Sequence, residues 1–141
     1  MGIDCNAPPG TPIATPFSGE VIDIFDDSPE PQGWGPRVIV ATTSSRAPFL
    51  VFGHLDALRH PIGRKLSAGE IIGEIGPPPL NGYWFPHLHL QVVSAAAFHR
   101  HLSIGLESLD GYGHTRDQES LVADFPDPTW LIEDQRGDGM S

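Results

Sequence analysis

Apolar residues in this chain come in short runs, each closed by glycine, proline or a polar cluster. The runs at 11–15 (TPIAT), 19–25 (GEVIDIF), 37–42 (RVIVAT), 48–55 (PFLVFGHL), 70–76 (EIIGEIG) and 87–93 (HLHLQVV) mix β-branched and aromatic residues with period-two alternation. That pattern predicts strands. The separators DDSPEPQGWGP, SSRA and PPPLNGYWFP read as turns and loops. Only SAAAFHRHL, at 94–102, predicts a helix. Beyond it, GYGHTRDQESLVADFPDPTWLIEDQRGDGMS carries polar loops around one apolar stretch, TWLI, and reads as a tail packed on the domain or a linker toward something else.

Sixteen glycines and fifteen prolines are many for the length, and because they punctuate β-rich runs instead of forming one tract, they argue for tight turns over disorder. The expected class is mostly β. At 141 residues and 39% hydrophobic, the chain can close one core but hardly two. The expected division is a β domain over 1–104 and a loop-rich tail over 105–141. A formal charge of −10 with no basic cluster disfavours nucleic acid or an anionic membrane as partner. Cys5 is the single cysteine, so no internal disulfide forms, and MGIDCNAPPG lacks the features of a secretory signal. As written, the expected location is the cytosol.

In a strand, side chains alternate between faces, so His87 and His89 in PHLHLQV share one face roughly 7 Å apart while Leu88 and Leu90 point to the core. Two readings follow. The pair could serve a metal ion or a proton-transfer site, because neutral imidazole ligates zinc and titrates near neutral pH. It could also be two half-exposed histidines on the wet face of a sheet, which the spacing alone favours. The sequence carries a control in FHRHL, where His99 and His101 have the same spacing on a predicted helix. There they stand about 200° apart around the axis and cannot converge, so they read as surface residues. His60, in a turn beside Pro61, and His114, in the glycine-rich tail, read the same way.

His54 ends an apolar strand directly after Gly53, where another backbone or a ligand could approach closely; a core histidine bonded to a carbonyl is the alternative. Asp4 opens a turn-rich stretch and could be an Asx-turn or a cap.

Taken in order, GIDCNAPPGTPIATPFSGEVI, VFGHLDAL, GRKLSAGEIIGEIG and PHLHLQV resemble the lysostaphin-type zinc metallopeptidases, bacterial enzymes that cut the peptides of peptidoglycan. The likeness covers residues 1 to about 94. It implies a duplicated hybrid fold, an antiparallel sheet of barrel-sandwich type. It also implies a zinc cofactor, a peptide or peptide-like ligand, and a site in which Asp4 and His89 hold the metal. His87 would be the general base, and His54 would polarise water or stabilise the oxyanion. Relatives in this family mostly work outside the cytoplasm.

One departure matters. The first histidine of the family's HxGxD stretch would fall immediately before Met1, so these residues supply two of the usual three zinc ligands. Cys5, next to Asp4, would point the other way in an extended segment and is the weakest substitute. The details GWGPRVIV, IGPPPLNGYWFPHLHLQ and FPDPTWLI resemble the version embedded between a phosphotransferase domain and a class III aminotransferase domain, which implies flanking domains as partners. Two other readings stay open. The same fold could serve as a non-catalytic module that binds a peptide or partner in the groove. A phosphocarrier could use His54, though it has no use for HxH, and Lys65 is not at the hairpin tip a lipoyl or biotinyl carrier needs.

Overall fold

A computed structural model describes residues 2–28, 31, 33–78, 81, 85–104 and 126–131. The strands are β1 (Gly2–Asn6), β2 (Pro12–Ala14), β3 (Gly19–Asp26), β4 (Pro36–Thr42), β5 (Phe49–Gly53), β6 (Leu55–Asp56), β7 (Lys65–Leu66), β8 (Ile71–Ile75) and β9 (His87–Val93), followed by helix α1 (Ala95–Ile104). One sheet runs β1-β9-β5-β4-β3-β7 and a smaller one β2-β8-β6, with every pairing antiparallel. The architecture is the mostly β, antiparallel one expected.

Alternation along each strand builds the core. Val21, Val38, Val40, Leu50, Phe52, Leu88, Leu90 and Val92 face the small sheet, where Leu55, Ile72 and Ile75 complete one cluster. The opposite face buries Ile39, Val51 and Val93 beneath Ala97 and Phe98 of α1. Phe98 stacks on Phe49 with ring centroids 4.0 Å apart. On that face α1 packs on the Val93 end of β9, away from His87.

Two differences from the sequence reading, and one agreement with it, bear on the site. The stretch opening with Asp4 is a strand and not an Asx-turn: Gly2, Ile3, Asp4, Cys5 and Asn6 pair with Gln91, Leu90, His89, Leu88 and His87. The run at 48–55 is broken at His54, whose φ of 61° turns the chain out of β5 and into β6 of the other sheet. Gly2, Asp4 and Asn6 share a face, while Cys5 looks the other way onto an apolar cavity of about 240 Å³ lined also by Ile13, Phe52, Leu88, Leu90 and Leu131. That orientation agrees with the low rank given to Cys5 as a metal ligand.

Of the tail, residues 126–131 are described, and they pack on the domain. Leu131 is 4% exposed and joins the inter-sheet cluster. Trp130 lies 5.9 Å from Phe17 between ring centroids, with the Arg46 guanidinium 4.0 Å from its ring.

Candidate active site

Four side chains meet on the open end of the large sheet. Because Asp4 pairs with His89 across β1 and β9, and Asn6 with His87, the carboxylate and both imidazoles project from one face. Asp4 Oδ1 is 3.0 Å from His89 Nδ1 and 3.6 Å from His87 Nε2. From the end of β5, the His54 ring comes within 4.6 Å of the His87 centroid and 6.1 Å of that of His89. The structure thus brings together Asp4, His54, His87 and His89. His87 and His54 are each 7% exposed, so neither sits half-exposed on a wet face, whereas the Asp4 side chain is 61% exposed.

Each imidazole is oriented by an oxygen. The His87 Nδ1–H donates to the Phe85 carbonyl, which leaves Nε2 toward Asp4 as an acceptor. The His54 Nδ1–H donates to the backbone carbonyl of Asn81 at 2.9 Å, so its Nε2 is likewise an acceptor. His54 is held in the left-handed region, a costly conformation for a residue other than glycine. Its backbone is pinned there on both sides: its N–H donates to the Trp34 carbonyl at 2.8 Å, and its carbonyl accepts from the Gly76 N–H at 3.0 Å. Burial, then the neighbouring His87 and His89, lower the pKa of His54 from 6.5 to about 4. At neutral pH it is uncharged.

Trp34 forms the wall of the site. Its ring stacks on His54 at 6.4 Å between centroids and meets His89 edge-on at 5.3 Å. A β-carbon at Gly53 would stand 2.8 Å from Trp34 Cε3, so the indole reaches this position because residue 53 has no side chain. Behind it, the buried Arg37 guanidinium lies 5.2 Å from the indole and 4.7 Å from Phe25, and pairs with Asp23 at 3.0 Å. Asp27 fixes the approach, accepting from the N–H groups of Trp34 at 3.1 Å and Gly35 at 2.8 Å. Beside His87, an open concavity of about 410 Å³ is lined by Asn6, Ala7, Pro8, Pro86 and Phe85, the last 88% exposed.

The remaining histidines lie elsewhere. His99 is exposed on α1, position 101 belongs to the same helix, and His114 falls outside the described residues. His60 bonds the Ile71 carbonyl at 3.0 Å and lies 3.1 Å from Glu70. The loops DDSPEPQGWGP and PPPLNGYWFP contribute Trp34, Asn81 and Phe85, while residues 29, 30, 32, 79, 80 and 82–84 lie outside the described residues. Trp34, Asn81 and Gln91 escaped the sequence reading. Gln91 had a signal, since it continues the period of His87 and His89.

The Asp4 carboxylate and a His89 nitrogen at 3.0 Å would repel as two electron pairs, so a proton or a cation belongs between them. Carboxylate and imidazole are zinc's own donor types. The pair therefore fits part of a zinc shell, although among the described residues no set of three His, Cys, Asp or Glu side chains could hold a metal.

The family model for peptidase family M23 matches residues 1–100, and the chain belongs to that family. Its fold is similar to the catalytic domain of a prophage-encoded M23 protein, EnpA, from Enterococcus faecalis, at 28% identity and a TM-score of 0.56 over 67% of each chain. It is similar to a peptidase M23 from Pseudomonas aeruginosa, at 29% identity and a TM-score of 0.54, over 64% of this chain and 37% of that one. The catalytic domain of the antimicrobial peptidase lysostaphin from Staphylococcus simulans matches at 25% identity and a TM-score of 0.53, over 64% of this chain and 63% of that one. No curated protein sequence matches significantly. Among the described residues no helix is long and apolar enough to cross a membrane.

Proposed function

We propose that this chain is the hydrolytic domain of a zinc-dependent peptidase acting on peptidoglycan-type peptides, with Asp4 and His89 as metal ligands and His87 and His54 as proton-transfer groups. The observation that carries the reading is the convergence of one carboxylate on two imidazoles, at 3.0 and 3.6 Å, beside a third imidazole. Zinc held by Asp4 and His89 would supply Lewis-acid activation of water and of the scissile carbonyl. The chain's own groups do the rest. His87, with Nδ1–H committed to Phe85, offers Nε2 to take the proton of the attacking water. His54 is neutral and offers an acceptor nitrogen, which suits orienting that water and not donating to an oxyanion. The groove beside His87 and the exposed Phe85 would seat the peptide.

A specific observation favours a second reading, a non-catalytic peptide-binding module: no three-ligand set exists among the described residues. By the family resemblance, the remaining histidine donor would align immediately before Met1. The two readings separate on zinc content per chain and cleavage of glycine-rich and peptidoglycan peptides, with and without a histidine placed before Met1. The 141-residue chain is expected to bind zinc weakly and cleave little, while the extended chain binds tighter by about 10- to 100-fold. In the extended chain, His87→Ala is expected to remove turnover, by about 100-fold or more, while sparing the metal. If the extended chain holds no zinc, the peptidase reading gives way to the binding module.

A further inference from the structure

Gln91 is fully buried, two residues beyond His89 on the same face of β9, and its Oε1 lies 3.0 Å from His89 Nε2. Both nitrogens of His89 therefore face oxygen, Asp4 at Nδ1 and Gln91 at Nε2. In neutral form the imidazole carries one N–H, so one of these contacts is a hydrogen bond and the other presents a lone pair that needs a proton or a cation between it and its oxygen. The amide carbonyl of Gln91 can only accept. Asp4, an exposed carboxylate, is the partner that can share a cation with a lone pair. A second feature fixes the ring independently: a β-carbon at Gly2 would stand 2.5 Å from both His89 Cε1 and Nε2, so the imidazole edge lies directly over the glycine backbone of β1. The glycine of the GID stretch and the glutamine of HLHLQ thus grip the same ring edge from two strands.

We propose that Gln91 is the positioning residue of His89: it accepts the Nε2 proton, fixes the tautomer and ring plane, and so turns the Nδ1 lone pair toward Asp4. This deepens the zinc reading above and rests on it only for the consequence in metal binding. Partners of this kind typically set metal affinity by 10- to 100-fold.

The test uses the 141-residue chain, in wild-type form and as Gln91→Met, Gln91→Glu and Gly2→Ala, with zinc titration repeated on each after a histidine is added before Met1. Long-range proton–nitrogen spectra of the metal-free protein report which His89 nitrogen is protonated, and zinc titration reports affinity. In the wild type, Nε2 is expected to carry a proton protected from exchange. Gln91→Met should lose that signal and weaken zinc binding by about 10- to 100-fold, Gln91→Glu, which keeps an acceptor, should restore both, and Gly2→Ala should disturb the same signal by pushing the ring. Amide spectra showing an intact fold in at least the Glu variant keep a folding defect apart from a positioning effect. A wild-type His89 protonated only on Nδ1, or a Gln91→Met variant with unchanged Nε2 signal and affinity, overturns the proposal. A wild type that shows the Nε2 signal but binds no zinc overturns the ligand reading and leaves the positioning of the ring standing.

Discussion

His54 shows how the fold sets the chemistry of one side chain. Its neutrality comes from burial and from two neighbouring imidazoles, and its acceptor nitrogen from the bond its other nitrogen gives to Asn81. Unfolded, the group titrates near 6.5; folded, near 4. Between those values the unfolded chain takes up a proton that the folded chain refuses, so this group costs nothing above about pH 6.5 and destabilises the metal-free fold progressively as the pH falls toward 4. The His54 ring proton is accordingly expected to titrate in NMR with a midpoint near pH 4. His54→Asn, which tolerates the left-handed backbone, should flatten the loss of stability between pH 6.5 and 4. A midpoint near 6.5 would mean that the site is far wetter than its 7% exposure indicates. The sequence marked His54 by a glycine before it at a strand end, but the bond to Asn81 crosses 27 positions and no local pattern announces it. Trp34 was hidden for the same reason: it lies in a loop, and its value comes from the space left by Gly53 on β5.

Strands and helices decide which histidine pair can act. On β9, His87 and His89 fall on one face and meet Asp4; on α1, the same spacing sends positions 99 and 101 apart. With the histidine-extended chain, replacing both His99 and His101 by Ala is expected to leave zinc binding unchanged, whereas His89→Ala should abolish it. Equal losses would show that the face argument chose the wrong pair. Sequence reasoning missed the two-residue β7 and, at the site, β1. It is an edge strand paired only with β9, and Asp, Asn and the following prolines are poor strand formers that read as a turn. Its pairing comes from β9, which supplies five register partners. The wall on β5 gives a further test, because Gly53→Ala drives a β-carbon against the indole. It is expected to cost about 1–3 kcal/mol in chemical denaturation and to shift Trp34 fluorescence.

The domain as a whole closes its core with a segment that lies far along the chain. The period-two runs made the sheets and their inner faces legible, since those positions need only alternate; they could not say what covers the gap between the sheets at Cys5 and Leu88. Residues 126–131 cover it. Asp127 caps a short helical turn by accepting from the Thr129 N–H at 3.0 Å, and the turn aims Leu131 into the cluster with Phe52, Leu88 and Leu90. Trp130 lies over Phe17 and under Arg46, a contact worth about 0.5–1 kcal/mol for the cation at an exposed site. Residues 126–131 therefore form part of one wall of that core. In the intact chain, Leu131→Ala is expected to lower the free energy of unfolding by about 2–5 kcal/mol, the range for a buried leucine emptied to alanine. A chain ending at 125 should lose at least as much and should expose Cys5, which lines the cavity that Leu131 closes, to faster reaction with a thiol reagent. Because the face carrying Asp4, His87 and His89 lies on the other side of the sheet, zinc affinity in the histidine-extended chain should survive Leu131→Ala under conditions where it stays folded. Unchanged denaturation midpoints in both variants would show that the sheets hold their core without this segment, and the domain would then end where the helix does.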